Sequence, residues 1–130
     1  MLLAIDIGNS NISLGIFRDG ALLMKGKISV MTRRSADEYA AILYDLMRMN
    51  RIAREDVRGC ILASVVPELT GLVENAARII TGTNILRVGP GIRTGFRIRI
   101  DDPSQLGGDL AADTLAALTE YGAPLVIIDA

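Results

Sequence analysis

The sequence predicts an α/β domain built on a mixed sheet that opens with antiparallel strands and carries flanking helices. Three observations predict it. Residues 1–30 hold three short apolar or alternating segments joined by tight turns. Residues 59–66 form a run without charge, followed at once by apolar residues at helical spacing, and a second helical repeat lies between these two regions. Strands first paired by short turns and later separated by helices call for a sheet that is antiparallel at one side and parallel at the other.

The first element is the apolar run 2–5, which reads as a buried strand. It ends in Asp6 and a Gly8-Asn9-Ser10-Asn11 turn, after which Ile12, Leu14 and Ile16 alternate with small residues as a second strand. A carboxylate therefore stands at a hairpin mouth. Gly8 permits close backbone approach to a ligand, Ser10 and Asn11 offer short polar groups, and the turn amides can point at an anion while Asp6 holds a hydrated Mg²⁺. Asp, Gly and Asn are also what ordinary hairpin turns use, so the turn taken alone fits a purely structural role as well.

Arg18-Asp19-Gly20 makes a tight turn into a third strand, residues 21–30. Ser35 or Thr32 can cap a helix over 37–49, with Asp37 and Glu38 in its first turn and Tyr39, Ile42, Leu43, Leu46 and Met47 on one face. Arg33-Arg34 before it reads as a solvated loop. The run 59–66 reads as a buried parallel strand punctuated by Ser64 and Pro67. Pro67 suits a first helical turn, and Leu69, Leu72, Val73, Ala76, Ala77 and Ile80 recur at helical spacing until Gly82.

A short strand is expected at 84–88, then a glycine loop, Gly89-Pro90-Gly91 with Thr94-Gly95. Phe96, Ile98 and Ile100 alternate with Arg97 and Arg99 as a half-exposed strand that Asp101-Asp102-Pro103 ends. Ser104 can cap a helix to about Tyr121, but Gly107-Gly108 weakens its first turns and moves the expected regular start to near Asp109. Residues 125–128 read as the start of another buried strand. The expected organisation is one domain with its connecting helix, 1–121, and the first strand of a second, similar domain, 122–130.

Composition narrows the chemistry. With 130 residues and a hydrophobic fraction of 50%, the chain can fill one core. Lys and Arg total 14 against 15 Asp and Glu, so a net charge of -1 gives no reason to expect nucleic acid or an anionic membrane surface, and any phosphate binding must be local. The chain has no histidine and one cysteine, Cys60. That excludes a disulfide within the chain, a structural zinc site and a histidine-based triad. Cys60 itself, within the apolar run, reads as a small buried hydrophobe. No apolar stretch approaches the roughly 20 residues of a membrane span, and the N-terminus lacks the pattern of a secretory signal, so a cytoplasmic protein is expected.

Several motifs together resemble one family. Asp6-Ile7-Gly8-Asn9-Ser10 resembles the first phosphate motif of the actin-like sugar-kinase superfamily, and its surroundings resemble type III pantothenate kinase. Ser35-Ala36-Asp37-Glu38-Tyr39, Ala63-Ser64-Val65-Val66-Pro67 with Leu69-Thr70, the Gly89 to Gly95 loop, and Pro103-Ser104-Gln105-Leu106-Gly107-Gly108-Asp109 follow in the family's order and spacing. The resemblance implies a ribonuclease-H-like, actin-like ATPase domain corresponding to the first half of a family member. It also implies ATP-dependent phosphorylation of pantothenate, the first step of coenzyme A synthesis, with Mg²⁺, a monovalent cation such as K⁺ or NH₄⁺, and a homodimer in the full-length form.

By the same resemblance, Asp6, Ile7, Gly8, Asn9, Ser10, Asn11, Ile12 and Ser13 bind the phosphates of ATP, with Asp6 on Mg²⁺ through water. Gly107, Gly108, Asp109, Leu110 and Ile100 line the substrate site, and Asp109 is the catalytic base. A substrate hydroxyl attacking a γ-phosphate needs an acceptor for its proton, which a carboxylate near a helix start can be; the same carboxylate can also simply cap the helix. Asp129 would enter the second phosphate motif as a ligand of the monovalent cation. Two positions depart from the family: Leu110 stands where arginine is most frequent and Ile100 where tyrosine is frequent. A leucine cannot supply a cationic contact. A non-catalytic nucleotide-binding paralogue, or a structural half that pairs with another chain, is the alternative.

Overall fold

In the computed structural model, which describes residues 1–89, 92, 95, 99 and 107–128, the opening apolar run becomes the central strand of a sheet. This strand, β1 (Leu2–Ile7), pairs antiparallel with β2 (Asn11–Arg18), which pairs antiparallel with β3 (Ala21–Ser29). On its other side β1 runs parallel to β4 (Gly59–Ser64), and β4 runs parallel to β5 (Ile85–Arg87). Among the described residues the order is β3-β2-β1-β4-β5. Asp19 and Gly20, with φ of 50° and 82°, form the left-handed pair that a two-residue hairpin between β2 and β3 requires.

Alternation decides which face of the sheet is covered. Leu3, Ile5 and Ile7 of β1 and Ile12, Leu14 and Ile16 of β2 are buried together against two helices, α1 (Ala36–Met49) and α2 (Pro67–Thr81). Those helices contribute Tyr39, Leu43, Met47, Leu69, Val73 and Ala77 to the same core. Intervening residues Ala4, Asp6, Ser13 and Gly15 point to the opposite face, onto which a third helix, α3 (Gly108–Tyr121), folds through its contact with β4.

Local chemistry sets the helix ends. Ser35, not Thr32, caps α1: its hydroxyl accepts the Glu38 N–H at 3.3 Å, and the Glu38 carboxylate accepts the Ser35 N–H at 2.7 Å, a reciprocal capping box. The Ser35 backbone and hydroxyl donors hold the Glu38 carboxyl below its usual range. α2 starts on Pro67 and stops at Gly82, whose φ of 64° is left-handed. Ser64, at the end of β4, accepts the Thr70 hydroxyl at 2.8 Å and the Val66 N–H at 3.1 Å, tying the strand to the first turn of α2. Glu74 of α2, largely covered, pairs with Arg78 at 2.9 Å and with Arg87, which fastens the edge strand β5 to the helix.

Residues 125–128 pair with none of the five strands, and Val126 and Ile128 are exposed. Two expectations need correcting. Arg34 is not merely solvated: its guanidinium lies 5.7 Å from the centre of the Tyr39 ring and donates to the Ser29 carbonyl at 3.2 Å. The strand 59–66 is shorter, since Ser64 and Pro67 convert its last two residues into the approach to α2. A single 3₁₀ turn, Arg54–Asp56, was not anticipated. The expected strand 96–100 lies outside the described residues.

Candidate functional site

The β1–β2 turn is closed by a hydrogen bond from the Gly8 N–H to the Asn11 carbonyl at 2.9 Å. Asn9 and Ser10 are exposed at its tip, and a Cβ on Gly8 would lie 3.3 Å from the Asn11 carbonyl oxygen, so a glycine keeps this mouth narrow. Val30 donates to the Ser10 carbonyl at 3.0 Å, binding the end of β3 to the same turn. The mouth therefore rests on two ladders and is a fixed feature. Asp6, exposed, stands at the carboxyl end of β1 on the face away from α1 and α2.

The register carries that position across the whole sheet. Asp6 lies opposite Ser13, and Ser13 opposite Lys27. On the other side Asp6 is level with Ala63, and the Val88 N–H donates to the Leu62 carbonyl at 2.7 Å, which brings Val88 to the same level beyond β5. One row thus reads Val88, Ala63, Asp6, Ser13, Lys27. With about 4.8 Å between strands, Val88 and Lys27 each lie roughly 10 Å from Asp6.

The start of α3 is seated on the Val88 end of this row. Gly108 is buried, and a Cβ there would come 2.8 Å from the Val88 carbonyl oxygen, so glycine lets the helix approach β5 closely. Asp109 follows in the first turn. Gly107, and not Asp109, occupies the cap position, yet one Asp109 carboxylate oxygen accepts the Leu110 N–H at 2.8 Å. Leu110 is 40% exposed. One turn further along, Ala112 faces a groove of about 340 Å³ whose lining includes Asp6, Ser13, Gly15, Lys25 and Ala63. Asp6 and α3 therefore border one concavity, with Asp109 a helical turn from it.

The structure brings together Asp6, the Gly8 to Asn11 turn, Ser13 and the first turn of α3 at one end of the sheet. Ile7 and Ile12 pair across the hairpin and point into the core, so only their backbone can face a ligand. Ile100 and Asp129 lie outside the described residues. Among the described residues no group of three or more His, Cys, Asp or Glu gathers as a metal centre. An exposed single carboxylate beside a polar turn fits a Mg²⁺ ion that keeps most of its water and shares a phosphate, which is how this ion is usually held. Burial pushes the Cys60 thiol up to about 11, with the Glu74 carboxylate adding to it, so no thiolate nucleophile arises there.

Sequence reasoning missed two parts of this face. The Ser64–Thr70 bond gives the serine and the threonine either side of Pro67 a shared structural task, but only the fold shows them touching. The two lysines were also passed over, although their alternation with Met24, Gly26 and Ile28 already puts both on one side of β3.

A mixed sheet in this order, with its opening hairpin antiparallel, helices on both faces and a carboxylate at the first hairpin mouth, is the ribonuclease-H-like architecture of actin-like ATPase domains. Comparison with known proteins narrows the class. The family model for type III pantothenate kinase matches residues 2–130. Type III pantothenate kinases of Citrifermentans bemidjiense and Geotalea uraniireducens are 40% and 39% identical over 99% of this chain, covering 51% and 50% of their own lengths. That of Bifidobacterium animalis subsp. lactis is 36% identical over 99% of the chain and 51% of its own length. The chain belongs to the type III pantothenate kinase family. It spans about half the length of the curated relatives it matches.

Proposed function

We propose that the chain is the phosphate-binding half of an enzyme that transfers the γ-phosphoryl group of ATP to the hydroxyl of pantothenate, giving 4'-phosphopantothenate for coenzyme A synthesis. The observation that carries this reading is the shared level of Asp6 and the start of α3 on one sheet face, in a chain 40% identical to a type III pantothenate kinase. In-line transfer needs a held polyphosphate and an acceptor hydroxyl brought to it with a proton acceptor alongside. The Gly8, Asn9, Ser10 and Asn11 turn holds the phosphates. Asp109 takes the proton, and Gly107, Gly108, Leu110 and Ile100 line the acceptor's place.

Mg²⁺ would be held at Asp6 through water, neutralising phosphate charge when bound. Asp129 would ligate a monovalent cation, K⁺ or NH₄⁺. Residues 122–130 begin a second, similar domain that forms the other wall of the nucleotide cleft, and the full-length protein is a cytoplasmic homodimer. The exposed apolar Val126 and Ile128 support this, since side chains of that kind are normally covered. Among the described residues no helix is long and apolar enough to cross a membrane.

The test is phosphopantothenate formation by the full-length protein from ATP and pantothenate, with and without Asp109→Asn. Product formation that depends on Asp109 supports the reading; none with either protein contradicts it. Leu110 favours one second reading, a paralogue that binds nucleotide without phosphorylating pantothenate, because an exposed leucine replaces the frequent arginine. Nucleotide binding without measurable pantothenate binding would establish that reading instead.

A further inference from the structure

The chain contains only two lysines, Lys25 and Lys27, among its 14 basic residues. Both lie on β3, are exposed, and face the side of the sheet that carries Asp6. Among the described residues neither lysine side chain takes part in an ion pair or hydrogen bond, as is also true of the Arg33, Arg51 and Arg58 side chains, whereas Arg18, Arg48, Arg54, Arg78 and Arg87 are paired. Lys27 occupies the end of the row that runs through Ser13 to Asp6, three residues before Val30, whose N–H donates to the Ser10 carbonyl. Lys25 is a further two residues down the strand and lines the groove opposite Ala112.

We infer that Lys27 is a phosphate-contacting residue of the nucleotide site, reaching along the row to the polyphosphate tail held at the Gly8 to Asn11 turn. This rests on the reading of that turn as the phosphate site. Three facts support it. A lysine side chain extends roughly 6 Å and swings freely, which covers the gap from β3 to a ligand lying over β2. The intervening residue on β2 is Ser13, small and half-buried, so nothing bulky stands between the ammonium and the mouth. The turn amides carry only partial charges and the net charge of the chain is -1, so a polyphosphate bound here needs a local cation. A compact ammonium supplies it as a point charge, and Lys27 is nearer to the turn than Lys25.

The experiment is calorimetric titration of the chain with MgATP and with adenosine, for the wild type, Lys27→Met, Lys27→Arg and Lys25→Met. Loss of a charge-assisted contact should weaken MgATP binding about tenfold or more in Lys27→Met, with little change for Lys27→Arg. Lys25→Met removes the same charge from the same face and should weaken it less. Adenosine, which has no phosphate, should show no difference among the four proteins. Melting temperatures should match, since the Lys27 side chain is exposed and bonded to nothing among the described residues.

MgATP binding by Lys27→Met equal to wild type, or weakened no more than in Lys25→Met, would overturn the inference while leaving the phosphate site intact. A wild-type chain that does not bind MgATP would overturn both. A second readout is covalent: an adenosine polyphosphate ending in pyridoxal forms an imine with a lysine beside its terminal phosphates, and borohydride fixes it as an amine. MgATP-protected label on Lys27 is expected, and label on Lys25 alone contradicts the assignment.

Discussion

At the scale of single residues, a carboxylate and a thiol are distinguished by their surroundings. Asp109 is in the first turn of α3, where a helix N-terminus stabilises negative charge and the Leu110 N–H donates to it at 2.8 Å. That bond fixes the direction of the carboxylate. Asp109→Asn in the full-length protein is expected to lower kcat by about 10²- to 10⁴-fold with little change in the KM for ATP, measured by coupled assay of ADP release. Cys60 behaves oppositely. Its thiol is raised to about 11 in the folded chain, so the unfolded thiol ionises first as pH rises. The stability it contributes is complete below its ordinary value and is lost between about pH 9 and 11, roughly 2 to 3 kcal/mol in all. Urea unfolding at pH 8 and pH 11, compared with Cys60→Ala, should show a smaller loss in the variant.

At the scale of elements, the strongest local signals are the capped ends. Removing the Ser35 hydroxyl leaves the Glu38 N–H without its acceptor, and Ser35→Ala should cost about 1 kcal/mol in denaturant unfolding. Glu38→Gln keeps a side-chain acceptor for the Ser35 N–H and should cost less. Ends of this kind were legible: Ser35, Pro67 and Gly82 each mark a boundary through a physical requirement that the residue alone meets. So was the sidedness of β1 and β2, because alternation maps directly onto the two sheet faces. What local chemistry could not convey was pairing. Residues 125–128 have the composition of a buried strand, yet a strand is a relation between two segments, and the described sheet offers them no partner. The row from Val88 to Lys27 is likewise a matter of register between distant segments, which no single stretch encodes.

At the scale of the whole molecule, the chain spans about half the length of its relatives, and on the proposed reading it carries one wall of the nucleotide cleft. The candidate site was legible as a motif at Asp6 and as another at Asp109, 103 positions apart; only the sheet shows that both come to the same end of one face. A site open on one side holds its nucleotide weakly and admits water, so the 130-residue chain alone should show no turnover of ATP with pantothenate above a buffer control. The hairpin's own phosphate contacts, however, would lie within this chain. The most direct test is therefore a titration of the ¹⁵N-labelled chain with MgATP, followed by the amide signals of Gly8, Asn9, Ser10 and Asn11. These four signals should shift together, and the shifts should vanish in Asp6→Asn. Shifts confined to another part of the sheet, or none at millimolar nucleotide, would contradict the proposed reading.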